Sequence, residues 1–338
     1  MNAKFNELLR LFKKLPANSL DSSLNDLLDI PINHIKEILS SMTDRQITHC
    51  PCCGVVENFV KYGKKNNKQR YRCKSCERVF TATTGTALSG SHFGEQIWIE
   101  VIRDTLDGTS LKKTAKRLEM NLRTVTNMRY LLLNVIEQHT EKYTTKLTGE
   151  CETDDTYVLE SVKGTKIGSM YHRKARTQGS KATLRGTSKQ QISINCMVSK
   201  DGGMYAKSVN RSKSTKKQTK EVYTGRIDKE VVLYCDGANN FNSLEGMTKE
   251  MVIKDSKYLN YVNGFHSFIK GRIYHRYHGI ATKYMNKYNA MFSLAYGHTD
   301  DTIDFIFDLL RSSTDNFRVK TKDLAKFNIL DLGQFVNL

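Results

Sequence analysis

The stretches Glu152-Thr153-Asp154-Asp155-Thr156-Tyr157-Val158 and Val231-Val232-Leu233-Tyr234-Cys235-Asp236-Gly237 are short β-branched and apolar runs that carry aspartates. Such runs predict buried strands, and a carboxylate at the end of a strand lies where the strand emerges from the core. Asp154 and Asp236 are therefore expected to converge on one spot, which is how a divalent metal site is built. A helix-like segment with Asn, His and Lys side chains follows at 263–270.

Composition indicates the class of substrate. The 338 residues include 53 Lys and Arg against 35 Asp and Glu, a formal charge of +18, and the pI is about 9.4. A positive field of this size attracts polyanions, so the metal site is expected to act on a DNA phosphodiester. No apolar run approaches the roughly 20 residues that span a bilayer, and basic residues interrupt the first apolar stretches, unlike in a signal peptide. No membrane partner is expected, and the expected location is the cytoplasm, with nucleoid association through DNA.

Five of the eight cysteines lie between residues 50 and 76. Cys50, Cys53, Cys73 and Cys76 form two C-x2-C pairs with a 19-residue spacer, which is the spacing of a zinc ribbon. Each pair presents two thiolates on one tight turn, and two turns supply the four ligands of a closed Zn²⁺ site. Cys52 lies inside the first pair and remains an alternative ligand. The expected role of this zinc is structural.

A helical pattern follows the cysteines. Gly108 and Ser110 predict the end of one helix and the start of the next, and a third helix is expected from about residue 123. One face of the third helix is apolar, and the opposite face carries Arg123, Thr126, Asn127 and Tyr130. This arrangement predicts a helix-turn-helix whose polar face enters a major groove. A structural three-helix spacer is the alternative.

From about residue 146 the pattern changes to strands. Four strands are predicted at 151–159, 191–199, 203–209 and 231–236, and helices at 239–247, 264–275 and 283–296. Strands followed by alternating helix and strand indicate an α/β or α+β domain.

A basic interval separates the first two of these strands. Residues 163–190 contain eight Lys and Arg and no acid. Such a charge run is usually a solvated loop, but beside a phosphoryl-transfer site it predicts a loop ordered by DNA. The DNA-contacting candidates are Arg173, Lys174, Arg176, Lys181 and Arg185.

These motifs resemble the bacterial insertion-sequence transposases of the Asp-Asp-Glu superfamily that carry an N-terminal zinc ribbon, a group similar to the Merlin elements. The resemblance covers roughly residues 48–297 and rests on the cysteine ribbon, the two aspartate stretches and the basic loop. It also includes Phe265-His266-Ser267 with Lys270, followed by Tyr277-His278-Gly279-Ile280-Ala281-Thr282-Lys283-Tyr284.

The resemblance implies a ribonuclease-H-like catalytic domain with Asp154 on its first strand and Asp236 on its fourth. It assigns the third metal-binding position to Asn263, where the superfamily usually has Glu and part of this family is similar in using Asn. The auxiliary lysine falls on Lys270, two helical turns later on the same face. His266 orients a phosphate or Asn263 in this scheme; a packed or solvated histidine is the alternative.

An Asn at the third position changes the charge of the site. With Asn263 the protein supplies a formal −2 instead of −3 to two Mg²⁺ ions. Glu152, Asp155 and Asp255 are alternative ligands, although Asp155 is expected to face the other side of its strand. The implied reaction is two-metal phosphoryl transfer. In it, water cuts the end of the insertion sequence and the freed 3′-OH attacks target DNA.

The resemblance also implies cofactors, partners and alternatives. The cofactors are two Mg²⁺ ions, for which Mn²⁺ can substitute, and one Zn²⁺. The partners are double-stranded end repeats and target DNA, and synapsis of two ends implies at least a homodimer. The other functions considered are a catalytically silent DNA-binding regulator and a metal-dependent structure-specific nuclease. The expected domains are a helical segment 1–45, the ribbon 46–86, the helix-turn-helix 87–145, the catalytic domain 146–298, and a helix and tail 299–338.

Overall fold

The computed structural model of the protein describes residues 47–65, 68–143, 147–161, 163, 184, 186–296 and 301–313. The chain divides into two compact units, one ending at Thr84 and one beginning at Gly85. The predicted N-terminal segment 1–45 lies outside the described residues. None of the described helices is both long enough and apolar enough to span a bilayer.

The first unit contains a small antiparallel sheet. Its strands, in the spatial order β1-β2-β3, are β1 (Phe59–Lys65), β2 (Lys68–Cys73) and β3 (Val79–Thr81). The first two strands form an antiparallel pair between the cysteine pairs, while β3 has three residues and is too short to show a periodic pattern.

Three aromatic rings form most of the apolar core of this unit. Phe59, Tyr71 and Phe80 contact one another with ring centroids 5.6 to 5.8 Å apart. Among the described residues of the unit, the buried apolar side chains in this cluster are Phe80 and two cysteines. Because so small a core contributes little hydrophobic stabilisation, a unit of this kind needs an additional cross-link such as a metal ion.

The second unit begins with three helices. They are α1 (Glu95–Leu106), α2 (Leu111–Arg117) and α3 (Leu122–Tyr143). The predicted cap at Ser110 is confirmed, because its side chain accepts a hydrogen bond from the Lys113 N–H. The predicted inward stripe of α3 is confirmed as well, with side chains between 0 and 5% exposed at Val125, Met128, Leu132 and Val135.

A mixed five-stranded sheet forms the centre of the second unit. Its strands are β4 (Glu150–Leu159), β5 (Gln191–Ser199), β6 (Met204–Arg211), β7 (Val232–Cys235) and β8 (Glu250–Ile253). The spatial order is β6-β5-β4-β7-β8, with β4, β5 and β6 antiparallel and β7 and β8 parallel to β4. This order and these directions are those of a ribonuclease-H-like fold, so the predicted α/β fold class is confirmed.

Four further helices complete the unit, namely α4 (Lys216–Tyr223), α5 (Asn260–Gly271), α6 (Met285–Ala295) and α7 (Asp301–Ser312). Helix α5 packs on β4 and β5, and α6 packs on β6 and α3. One apolar core joins α1, α3, α5, α6, α7 and the sheet. The helices before the sheet therefore share their core with it.

In the second unit, the sequence prediction missed two elements and assigned a wrong structure to a third. The four-residue edge strand β8 and the lysine-rich α4 have too little apolar periodicity to stand out, although Thr215 and Gln218 form a capping box at the start of α4. The helix predicted at 239–247 is only a 3₁₀ turn, Phe241–Leu244. Just before that turn, the Asn240 side chain donates to Asp155 and Ser214, and such side-chain bonds compete with helix formation.

Candidate active site

Two carboxylates stand at the same level on neighbouring strands. In the parallel pair β4 and β7, Cys151 is paired with Leu233 and Glu152 with Tyr234. When this register is continued by two residues, Asp154 comes level with Asp236, which directly follows β7. Each lies two residues after a member of the pair Glu152 and Tyr234, so both side chains are on the same face of the sheet. Neighbouring strands lie about 4.8 Å apart, which brings the two carboxylates close together.

The environment of Asp154 disfavours its charge. The side chain is 18% exposed. Burial, together with the nearby charges of Asp236 and Asp155, raises the pKa of Asp154 to about 7, although the Asp155 N–H and Lys270 act in the opposite direction. Two acids that repel each other in a partly buried cleft are stabilised when a cation binds between them.

Helix α5 presents three polar side chains on one face, and the middle one lies beside Asp154. Asn263, His266 and Lys270 follow the spacing i, i+3 and i+7, so they share one face of the helix. His266 is buried, and its Nδ1 lies 4.0 Å from Oδ2 of Asp154. Burial, together with Lys270, lowers the pKa of His266 to about 4. The imidazole is therefore neutral at pH 7 and does not attract a phosphate through charge.

Asn263 has its amide oriented by the backbone. Its Nδ2 donates to the carbonyl oxygen of Ser256 at 2.7 Å. A carbonyl only accepts, so the nitrogen of the amide must face it. The Oδ1 atom of Asn263 then accepts no hydrogen bond from the described residues, and an amide oxygen of this kind is a ligand for Mg²⁺.

Lys270 supplies the positive charge near these groups. It lies in the last turn of α5, is exposed, and lowers the pKa of both Asp154 and His266. It forms no ion pair within the described part of the chain. Its ammonium group is thus available to a ligand anion.

Glu152 has a role that the sequence did not reveal. It is 3% exposed and lies two residues before Asp154, on the same face of β4. Its Oε2 accepts from the N–H groups of Tyr261 at 2.8 Å and Val262 at 3.1 Å. These are orphan donors in the first turn of α5, so a carboxylate there stabilises the helix terminus and fastens it to the central strand. A pairing across 109 residues leaves no local sequence signal.

Asp155 makes its contacts in a separate polar network, as the alternation of a strand requires. It accepts from Ser214 Oγ at 2.6 Å, from Asn240 Nδ2 at 3.1 Å and from Asn195. Burial raises the pKa of Asp155 to about 6 against the effect of these donors. Since Asn240 lies four residues after Asp236, the network holds the loop that follows Asp236 against β4.

The four cysteines of the ribbon come together in the first unit. The Sγ atoms of Cys50, Cys53, Cys73 and Cys76 lie within 4.8 Å of one another, and two of the pairs are 3.7 Å apart. A tetrahedral site with Zn–S bonds of about 2.3 Å has S–S edges of about 3.8 Å, so the cluster fits Zn²⁺. Cys52 is exposed and outside the cluster. Among the described residues, no other three His, Cys, Asp or Glu side chains converge in this way.

Of the predicted DNA-contacting residues, the structure describes the four on α3. Arg123 and Asn127 are exposed on α3, and Thr126 donates to the Leu122 carbonyl at 2.7 Å. Tyr130 is half-buried, and its ring lies 4.9 Å from that of Tyr284. The loop candidates lie outside the described residues; they are Arg173, Lys174, Arg176, Lys181 and Arg185.

Comparisons with known proteins agree on one class. Residues 146–295 match the family described as ISXO2-like transposase domain. A protein of Halobacterium salinarum, described as an uncharacterized protein in transposable element ISH50, is 24% identical over 229 residues, which cover 66% of this chain and 74% of the relative.

Solved structures of Mos1 transposase complexes are also similar. A pre-cleavage Mos1 transpososome shares 11% identity over 68% of this chain and 77% of that chain, with a TM-score of 0.31. A Mos1 paired-end complex with left transposon end shares 10% identity over 95% of both chains, with a TM-score of 0.30. Superpositions at these scores are loose, and the fold is identified by the strand order instead.

Proposed function

We propose that the protein is a DNA transposase that binds the ends of an insertion sequence and catalyses metal-dependent DNA cleavage and strand transfer. The observation that carries this proposal is the alignment of Asp154 and Asp236 on neighbouring strands beside the polar face of α5. This arrangement lies in the segment similar to an ISXO2-like transposase domain.

The donor set fits a divalent ion that prefers oxygen. Asp154 and Asp236 would hold Mg²⁺ or Mn²⁺ with carboxylate oxygens, and Asn263 with its free Oδ1. When bound, such ions activate water and stabilise the leaving oxygen of a phosphodiester. Burial and the neighbouring acids Asp236 and Asp155, which raise the pKa of Asp154, support a cation at this place.

The remaining side chains position the reacting groups. Lys270 neutralises the charge of the scissile phosphate with its unpaired ammonium group. His266, neutral and 4.0 Å from Asp154, packs against that carboxylate and fixes its orientation. Glu152 holds the start of α5 and thereby the distance from Asn263 to the aspartates.

Binding of DNA is assigned to other parts of the chain. The charge of +18 supplies general affinity for a polyanion. Arg123, Thr126 and Asn127 on α3 are the candidates for contacts in a groove, and the four-cysteine ribbon is stabilised by a structural Zn²⁺. Joining two ends to a target requires at least two protomers.

The test uses a supercoiled plasmid that carries this gene with its own flanking DNA. Purified protein with Mg²⁺ is expected to cut 3′ ends at both flanks and to join them to new DNA, and Asp236→Ala is expected to do neither. DNA that is bound but uncut would instead indicate a silent regulator. Cutting without joined 3′ ends would indicate a nuclease. Either result would refute the transposase.

A further inference from the structure

A cavity of about 790 Å³ lies in the second unit, apart from the aspartates. Its walls come from four parts of the chain that are distant in sequence. These are the α1–α2 turn with the start of α2, the middle of α3, Lys163 after β4, and the segment 275–288 after α5. None of Asp154, Asp236, Asn263 and Lys270 lines it.

The lining is strongly basic. Its described Lys and Arg residues are Lys113, Arg129, Lys163, Arg276 and Lys283. Asp107 is the one carboxylate among the described lining residues. Cations gathered around one space repel each other, and an anion in that space relieves the repulsion.

Three of these cations already have structural roles. Arg129 is 4% exposed and donates to Thr105 Oγ1 at 3.2 Å and to the Thr109 carbonyl at 2.9 Å. Lys163 donates to the carbonyls of His278 and Gly279. Lys283 is half-buried, with its Nζ 5.1 Å from the ring centroid of Tyr284.

The other two cations have no carboxylate partner among the described residues and can bind a ligand. Lys113 and Arg276 are exposed, and neither forms an ion pair with a carboxylate of the described residues. Both line the cavity, Lys113 from the start of α2 and Arg276 from the segment after α5.

The backbone keeps these two walls in contact. Gly108 has φ +76°, and a Cβ placed there would lie 2.7 Å from the Cβ of Arg276, so only glycine permits this approach. Two residues after Arg276, His278 has φ +50°, a left-handed conformation that is strained for a residue with a side chain. Strained backbone of this kind is concentrated at ligand sites, and the bond from Lys163 to the His278 carbonyl helps to hold it.

We propose that this cavity binds one phosphodiester group of a DNA strand, held between Lys113 and Arg276. The inference rests on the proposed function for its choice of DNA as the polyanion. Two features favour a macromolecular phosphate over a buried small anion. The two unpaired cations are exposed at the cavity, and Lys113 lies on the first helix of the predicted helix-turn-helix, the helix that crosses the DNA backbone in such motifs.

This site would connect end recognition with chemistry. Lys113 precedes the helix that carries Arg123 and Asn127, whereas Arg276 follows Lys270 by six residues. A phosphate bound by both would fix the duplex relative to α3 and α5 at once.

The test measures binding of the full chain to a duplex of its own end sequence, by fluorescence anisotropy between about 50 and 200 mM salt without divalent metal. Lys113→Ala and Arg276→Ala are each expected to lower affinity about tenfold at low salt. The slope of log affinity against log salt concentration reports the number of phosphates that the protein contacts. Because both cations hold the same phosphate, only the double variant should reduce this slope, by about one. Arg276→Lys, which keeps the positive charge, should retain most of the affinity that Arg276→Ala loses. Lys249→Ala is the control, since Lys249 is exposed, pairs with Glu230 at 3.7 Å and does not line the cavity.

Three results would overturn the site. Unchanged affinity in both single variants would show that neither cation contacts DNA. A slope reduced by about two in the double variant would place the cations on separate phosphates outside the cavity. The cavity would be a site for free phosphate if two results occurred together. Inorganic phosphate would stabilise the wild type but not Arg276→Ala, and the double variant would keep the wild-type salt dependence of DNA binding. The binding measurement contains no divalent metal and does not depend on cleavage. A protein that binds DNA but never cuts it would therefore contradict the proposed function and could still support this phosphate site.

Discussion

The Glu152 carboxylate accepts a hydrogen bond from the backbone N–H of Tyr261 at 2.8 Å, across the boundary between the central strand and helix α5. The same oxygen accepts from Val262, and Asn263 is the next residue. The carboxylate that fixes the start of α5 is thus two residues from Asp154 on β4. Strand and helix are held in register at the point where the proposed metal ligands meet.

Glu152→Ala should therefore reduce both stability and cleavage. Two N–H groups would lose their acceptor, which costs about 2–3 kcal/mol in free energy of unfolding. The cleavage rate should fall by more than the loss of folded protein accounts for, because the start of α5 and Asn263 are no longer fixed. Urea denaturation and the plasmid assay, at a temperature where the variant is folded, measure the two effects.

Glu152→Gln tests whether Glu152 acts by holding the start of α5 or through its negative charge. It keeps one acceptor oxygen and should recover much of the cleavage rate, whereas Glu230→Ala, at an exposed site, should match the wild type. Full activity of Glu152→Ala when folded would show that Glu152 has no positioning role.

The raised pKa values of Asp154 and Asp155 predict how stability depends on pH without metal. Their folded-state pKa values are about 7 and about 6, above the ordinary value of about 3.9. Between about pH 4 and 7 the folded protein holds protons that the unfolded chain has lost, so stability falls as pH rises. His266, with its pKa lowered to about 4, acts in the opposite sense below about pH 6.5.

Asp154→Asn isolates the contribution of Asp154. In EDTA, the melting temperature of the variant should decline less than that of the wild type as pH rises from about 5 to 8. Mg²⁺ should stabilise the wild type at the upper end and leave the variant unchanged, because metal binding requires the carboxylate. Equal declines in the two proteins, or equal stabilisation by Mg²⁺, would count against a metal-binding Asp154.

The sequence predicted most of this architecture because two patterns are local. The strand runs that carry or precede Asp154 and Asp236 are recognised from neighbouring residues, as is the C-x2-C spacing; that Asp154 lies in the middle of β4 and not at its end was not predicted. The roles of Glu152 and Asp155 depend on residues brought near by the fold, since Glu152 bonds to α5 and Asp155 to Asn240. Tyr130 shares a helix face with Arg123, yet its contact with Tyr284 arises from the packing of α6 on α3.

A buried ion pair, Arg211 with Glu160, links the ends of β6 and β4. The side chains are 5% and 0% exposed. Replacing Arg211 by Met takes its positive charge away from a fully buried carboxylate, which should cost about 3–5 kcal/mol in chemical denaturation. The double replacement Glu160→Leu with Arg211→Met should recover most of this loss. If the single variant were as stable as the wild type, the pair would contribute nothing.

The cysteine cluster predicts one zinc ion for each chain. Cys76→Ser removes one of four thiolates and should lower the zinc content, measured by elemental analysis of the full chain, well below one ion. Because the aromatic core around Phe80 is small, the ribbon should then lose its protection against proteolysis. Cys52→Ser is the matched control, since Cys52 is exposed and outside the cluster. Zinc loss in Cys52→Ser with retention in Cys76→Ser would reverse the ligand assignment.

Asn263 supplies the sharpest test of the metal site. Loss of a metal's second-shell partner typically costs 10–100-fold, so Asn263→Ala, which removes a direct ligand, should slow cleavage by at least about 100-fold. Asn263→Asp keeps an oxygen ligand and adds a charge between two acids that already repel each other, so it should bind Mg²⁺ at least as tightly as the wild type. Calorimetric titration of Mg²⁺ compares the three proteins, with Asn242→Ala, at an exposed site on the 3₁₀ turn, as the control. Cleavage by Asn263→Ala at the wild-type rate would remove Asn263 from the site and leave Asp154 and Asp236 as its protein ligands.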